Sequence, residues 1–295
     1  MNRETINTNK KESLNGDFPI IIRGLSKRYT FKKEVTLNEI SMSVQKGNCI
    51  CIVGANGTGK TTLFNIITGN IPYTKGDVSI KGKIGYSSEI SINFQWLTLR
   101  QYIEYFSGLT GNTNEFKNYI KMLHMDGVAD KKIRNFSKGM KRKVDLIRML
   151  VSEPDVFLMD EPFDGLDPVA SKELIQLVNN LKKSGKSVLV SSHDMSYVEQ
   201  IADRVFLLKD GKIGDMEEYK SAYIIKFIDT EGKADESLKE LKKIEVEKSN
   251  DLCTVHAQNA EIRDKVIDLL RKKELKIIEQ RAKSLEEIYL EKFSE

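Results

Sequence analysis

Residues 54–61 read Gly-Ala-Asn-Gly-Thr-Gly-Lys-Thr, with Thr62 directly after. Glycines at this spacing let a backbone turn its amides inward, a lysine brings a point charge, and a hydroxyl can ligate a hard cation. Together these are the means of holding a phosphate chain, and the spacing is that of the phosphate-binding loop. The pattern carries this meaning only between a strand and a helix. Both are predicted here: the apolar run Cys49–Val53 precedes the loop, and Leu63, Phe64, Ile66 and Ile67 follow at helical spacing up to Gly69. Gly54, Asn56, Gly57, Thr58, Gly59, Lys60, Thr61 and Thr62 are the candidate nucleotide contacts.

A second stretch, Val156–Pro162 (VFLMDEP), is an apolar strand ending in two carboxylates. At a strand end beside a phosphate loop, Asp160 is placed to hold Mg2+, with Thr61, directly or through water. Glu161 is placed to polarise an attacking water. The bland alternative is a strand followed by an acidic helix cap. A third stretch, Asn135–Leu146 (NFSKGMKRKVDL), clusters Lys138, Lys141, Arg142 and Lys143 behind a serine and a glycine at a helix start. Such a run is either a nucleic-acid patch or a solvated helix face.

Three further strands, Val156–Asp160, Ser187–Ser192 and Arg204–Leu208, must accompany Cys49–Val53. Helical patterns over Pro168–Lys183 and Met195–Ala202 separate them. That alternation predicts an α/β fold with a largely parallel core sheet. Residues 92–151 read as helix without strands, and Leu99, Tyr102, Ile103 and Phe106 share one face. Beyond the hairpin signal Lys209–Ile213, the order is strand (222–229), helix (236–242), strands (244–247 and 252–257), helix (261–272) and strand (275–280). This is the β-α-β-β-α-β, ferredoxin-like pattern. A last helix opens with a capping-box pair, Ser284 and Glu287.

The bulk numbers exclude little but consistently. The 295 residues are 40% hydrophobic and 31% charged, enough for a packed core. A net charge of +4 is too small for this length to imply nucleic acid. No apolar run approaches the roughly 20 residues of a membrane helix. Cys49, Cys51 and Cys253 read as small buried hydrophobes of a reducing compartment.

The order GANGTGKTT, FSKGM, FLMDEP, GLD and SSHD resembles the ATP-binding cassette (ABC) ATPases over about Phe18 to Asp215. The resemblance implies ATP and Mg2+ as cofactors and a head-to-tail dimer around two nucleotides. It makes Phe136–Met140 the signature segment: Ser137 and Gly139 match the family, while Lys138 and Met140 depart from its commonest form. Ser137, Lys138, Gly139 and Met140 are then expected to face the γ-phosphate on the opposite protomer, leaving the basic run mostly a solvated face. His193 corresponds to the switch histidine and Leu166 with Asp167 to the D-loop. Tyr29 is the aromatic expected to stack on adenine, or else a packed strand-end tyrosine. Where the family usually has a magnesium-side glutamine, Glu89 stands, with Gln95 six residues on. Trp96 borders the surface that meets a membrane subunit in this family, though helix packing is an equal reading; Tyr102 and Phe106 are expected in the core.

The domains expected are a flexible tail (1–17), the ABC ATPase domain (18–215, helical subdomain about 92–151) and a small C-terminal α+β domain (220–295). The function implied is an ATP-hydrolysing transporter subunit powering a separate transmembrane permease, with a second ATP-binding subunit as homodimer or heterodimer partner. No nucleic acid is expected. Its place would be cytoplasmic, peripheral on the inner face of the cell membrane through the permease. The closing SLEEIYLEKF and the C-terminal unit resemble ABC-2-type exporters. The alternative is a soluble ABC ATPase acting on ribosomes or nucleic acid.

Overall fold

The computed structural model describes residues 17–29, 35–88, 94–111, 116–216, 222–239, 241–242 and 244–294. Its centre is a six-stranded sheet in the order β5-β6-β7-β3-β8-β9. The strands are β3 (Cys49–Val53), β5 (Ile84–Ser87), β6 (Val156–Asp160), β7 (Ser187–Ser192), β8 (Arg204–Lys209) and β9 (Lys212–Asp215). All neighbours run parallel except the β8–β9 hairpin. β3, β6 and β7 are buried along their whole length. Covering both faces explains why β3, and β6 up to Asp160, are continuous apolar runs rather than alternating ones. The α/β expectation is met.

Along β3 the side chains divide between two cores. Ile50 and Ile52 join Leu63, Phe64 and Ile67 of α1 (Lys60–Ile67) beneath a three-stranded antiparallel sheet. That sheet has the order β2-β1-β4, from β1 (Ile20–Arg28), β2 (Val35–Val44) and β4 (Lys75–Ile80). Cys49, Cys51 and Val53 face the other way, into a core shared with the helices. The two cysteines share a face as their spacing predicts; both are buried and free, and burial pushes the Cys51 thiol well up. They are packing residues.

The helices of the second core are α2 (Leu99–Thr110), α3 (Phe116–Met122), α4 (Lys138–Val151), α5 (Pro168–Lys183) and α6 (Met195–Ile201). Thr98 and Gln101 form a reciprocal capping box at α2, and Ser137 caps α4 by accepting from Met140 N at 3.2 Å. Tyr102 is buried and Phe106 packs against the same core, as the periodicity predicts.

The remaining chain forms β10 (Tyr223–Ile228), α7 (Asp235–Lys239), β11 (Ile244–Ser249), β12 (Leu252–Ala257), α8 (Ala260–Lys272), β13 (Lys276–Ala282) and α9 (Leu285–Ser294). Its antiparallel sheet has the order β11-β12-β10-β13, with its own core around Ile225, Phe227, Val255, Val266 and Leu270. α9, which the sequence reading groups with this unit, packs elsewhere. Leu285 and Ile288 lie in the helix-side core of the large sheet, and the Glu199 carboxylate of α6 accepts from Leu285 N at 2.5 Å.

Candidate functional site

The loop between β3 and α1 is shaped by its glycines. Gly59, at φ 110°, holds a conformation that side chains resist, and a Cβ there would lie 3.1 Å from Thr36 O. It also gives α1 no side-chain cap, so the first amides of the helix face outward with the positive end of its dipole. Thr58 Oγ1 donates to Ala55 O at 3.0 Å and steadies the turn. Lys60 folds back over the loop, its Nζ donating to Gly54 O at 2.7 Å and Ala55 O at 3.3 Å.

Above the loop lies a cleft of about 560 Å³ bounded by Tyr29, Thr36, Asn56, Gly57, Gly59, Lys60, Thr61, Thr62 and Glu161. Tyr29 stands at its wall with its hydroxyl 3.4 Å from Thr62 Oγ1, and Lys27 Nζ sits 4.9 Å from the ring centroid. The cleft therefore has an aromatic wall at one side and anion-binding amides at its floor.

Parallel register brings the carboxylates to the same sheet edge. Asp160 pairs with Ser191, and Val53 with Ser192, so the ends of β3, β6 and β7 align. Ligand crevices of α/β sheets form at this carboxyl edge. Asp160 is fully buried. Its Oδ1 accepts from the Ser191 hydroxyl, while its Oδ2 has no hydrogen-bond partner among the described residues. A buried carboxylate oxygen without a partner and the hydroxyl of Thr61, which lines the cleft, are the donor types that suit a hard divalent cation.

Glu161 turns sharply, at φ 47°. Its Oε1 lies 3.2 Å from Lys60 Nζ, and its Oε2 2.9 Å from His193 Nδ1. Lysine, carboxylate and imidazole thus form one continuous chain from the loop floor to the end of β7.

Ser137, Lys138, Gly139, Met140, Leu166 and Asp167 do not line this cleft; they gather at a second place. Lys138 Nζ meets Asp164 Oδ2 at 2.6 Å, which holds the Asp164 carboxyl below its usual range. Gly139 packs so closely that a Cβ would lie 2.8 Å from Gly165 O. Asp167 caps α5 by accepting from Ala170 N at 2.9 Å, and that bond lowers its carboxyl too. Met140 and Leu166 pack at the rim of the helix-side core.

One expectation is corrected. The basic run is not mostly a solvated face: Arg142 is only 4% exposed and donates to Ser88 O, Asp160 O and Glu161 O. Lys143 is also largely covered, donating to Leu123 O and pairing with Glu173 at 3.2 Å. The reason is helical phase, since position 142 falls on the face that α4 turns toward β6. Sequence reasoning also passed over Ser191, a hydroxyl at the fully buried carboxyl end of β7. Glu89 lies outside the described residues. Trp96 is 69% exposed, with the Arg134 guanidinium 4.9 Å from its ring, and belongs to the surface rather than the core.

The sequence profile of the ABC transporter family matches residues 37–164, a span that holds the phosphate loop, Ser137–Met140, Asp160 and Glu161. The chain is 34% identical over 215 residues to the uncharacterized ABC transporter ATP-binding protein MJ1023 of Methanocaldococcus jannaschii, covering 70% of this chain and 81% of that one. The chain belongs to the ABC transporter ATP-binding proteins. This cassette is also 31% identical over 226 residues to human phospholipid-transporting ATPase ABCA3, covering 70% of the cassette chain but 13% of that much longer protein. Among solved structures, the ATP-binding cassette MJ0796, in a dimeric post-hydrolysis state bound to ADP and Pi, matches with a TM-score of 0.62. That match covers 67% of this chain and 99% of the other at 23% identity, and carries the fold. Family membership makes the cassette an ATP-binding ATPase domain.

Proposed function

We propose that this chain hydrolyses ATP to power a separate membrane permease in the export direction, working in pairs with its own kind or with a related partner. The observation that carries the reading is the Lys60–Glu161–His193 chain at the mouth of the cleft. Tyr29 stacks on the adenine, and the loop amides with Lys60 take the phosphates. As phosphate draws the Lys60 charge, Glu161 is released to orient the attacking water and accept its proton. His193, hydrogen-bonded to the same carboxylate, holds that geometry. Thr61 and the unpartnered oxygen of Asp160 would hold Mg2+, with Glu89 as the resemblance implies, and the ion would supply charge to neutralise the phosphates.

Ser137, Lys138, Gly139 and Met140 serve the nucleotide of the opposite protomer, with Leu166 and Asp167 at the contact between the two. The hydroxyl of Ser137 accepts from Met140 N as a cap and keeps its proton to donate to a phosphate oxygen. Their placement away from their own cleft supports a site completed by a second chain. The exposed Phe94 and Tyr105, with ring centroids 5.9 Å apart, and the exposed Trp96 and Leu109 support a membrane-subunit contact and a position at the inner face of the membrane. Among the described residues no helix is long and apolar enough to cross a membrane. The small antiparallel unit of β10–β13, with the resemblance of the closing segment to ABC-2-type ATPases, supports export.

The test is recovery of tagged Glu161→Gln from native cells with ATP, after membranes are separated from cytosol. A multi-span protein in the membrane fraction is expected. Ribosomes or nucleic acid in the cytosolic fraction would replace this reading with the soluble one.

A further inference from the structure

Arg142 is a permanently charged side chain buried one turn into α4, a helix whose other buried residues are all apolar except Asp145. A buried guanidinium is costly unless its donors are met. Here it meets three backbone carbonyls: Ser88 O at 2.6 Å, Glu161 O at 2.8 Å and Asp160 O at 3.2 Å. A planar fork of donors suits such a set, where a single ammonium would reach fewer.

The carbonyl of Glu161 matters most, because its residue is held in a left-handed conformation that costs non-glycine residues about 1–3 kcal/mol. Such a conformation persists only when surroundings over-determine it. Both ends of the peptide are held. The Glu161 N–H donates to Ser191 Oγ at 2.9 Å and Ser191 O at 3.2 Å, and the Glu161 carbonyl accepts from Asp164 N at 3.2 Å as well as from Arg142 at 2.8 Å. Between these supports the carboxylate is directed to Lys60 at 3.2 Å and His193 at 2.9 Å. Relaxed to an ordinary right-handed or extended backbone, the same side chain would leave from a different direction.

We propose that Arg142 is a positioning residue for ATP hydrolysis: from α4 it holds the Glu161 peptide in the turn that aims the carboxylate at the cleft. The inference rests on the reading of Glu161 as the group that orients the attacking water. It also gives α4 a mechanical link to that group, since Arg142 stands on the helix that Ser137 caps and Gly139 opens. A displacement of this helix start would reach Glu161 through one buried, hydrogen-bonded side chain.

Arg142→Lys and Arg142→Gln, made in the full chain with and without Glu161→Gln, test this by single-turnover cleavage of labelled ATP and by steady-state turnover. With Glu161 intact, kcat is expected to fall about 100-fold, the scale of a misplaced reacting group, with KM for ATP little changed and thermal melting near wild type. In the Glu161→Gln background the Arg142 substitutions are expected to cost nothing further, because the group they position is already gone. An equal loss in both backgrounds, an unchanged kcat, or failure of both variants to fold would each overturn the proposal and leave Arg142 a packing residue. Near-normal turnover by Glu161→Gln alone would instead remove the reading of Glu161, and the Arg142 proposal with it.

Discussion

Ser191 serves two neighbours with one hydroxyl, donating to Asp160 Oδ1 while its oxygen accepts from Glu161 N. Removing it leaves a buried carboxylate oxygen without its partner, while the Glu161 amide keeps only the Ser191 carbonyl at 3.2 Å. Ser191→Ala is therefore expected to destabilise the protein by about 1–3 kcal/mol, measured as a shift of the urea midpoint. Mg2+-dependent ATP binding should weaken with it, because Asp160 loses the bond that fixes its orientation. Gly139 tests the second cluster. A Cβ there would lie 2.8 Å from the Gly165 carbonyl, a backbone atom that cannot turn aside. Gly139→Ala should separate the start of α4 from the Asp164–Asp167 loop, reducing turnover at least about tenfold while leaving ATP binding to Lys60 intact. Unchanged turnover would show that the close contact has no part in the reaction.

At the scale of elements, α9 is the least expected placement. The capping box foreseen at Ser284 and Glu287 is present, with Glu287 N donating to Ser284 Oγ at 3.2 Å and Ser284 N to Glu287 Oε2 at 2.9 Å. Periodicity did not tell which core the helix would join. Ile288 is 2% exposed within the helix-side core of the large sheet. Ile288→Ala should cost about 2–5 kcal/mol and lower the unfolding transition of the ATPase domain, the transition that ATP raises. A loss confined to a transition that ATP does not move would contradict this packing. The same helix carries a pH signature. Arg281, bonded to both oxygens of Glu287, holds that carboxyl at about 2, below its ordinary 4.5. A depressed carboxyl stabilises above its unfolded pKa, and that contribution is lost as pH falls from 4.5 toward 2. The stability difference between wild type and Glu287→Gln should accordingly shrink from pH 5 to pH 3 in urea titrations.

Taken as a whole molecule, the chain carries two separate clusters, and the proposed pairing joins them across two chains. Lys60, Glu161 and His193 touch in one place, while Ser137–Met140 and Asp167 gather in another. Glu161→Gln with ATP is expected to double its mass in light scattering, since ATP is bound and slowly spent. Adding Ser137→Ala should weaken that dimer. A particle of single mass under both conditions would count against the paired site. The net charge of +4 gives no reason to expect a salt-driven association, so the doubling should survive moderate salt.

The phosphate loop, the strand ending in Asp160 and Glu161, and the α/β alternation were legible in the sequence because each is a local pattern with a local cause. Glycines at fixed spacing permit one loop, and apolar runs between helices permit one kind of sheet. What the sequence could not decide was which residues separated along the chain share a hydrogen bond. Arg142 looked solvated because charge in a helix usually is; only the packing of α4 against β6 turned it inward to the Asp160 and Glu161 carbonyls. Ser191 looked like an ordinary strand residue until parallel register set it beside Asp160. α9 could join either core by its own pattern, and the capping contact from Glu199 with burial of Leu285 and Ile288 places it on the ATPase domain. Register and helix phase are properties of the assembled fold, and they decided the partners that composition and spacing left open.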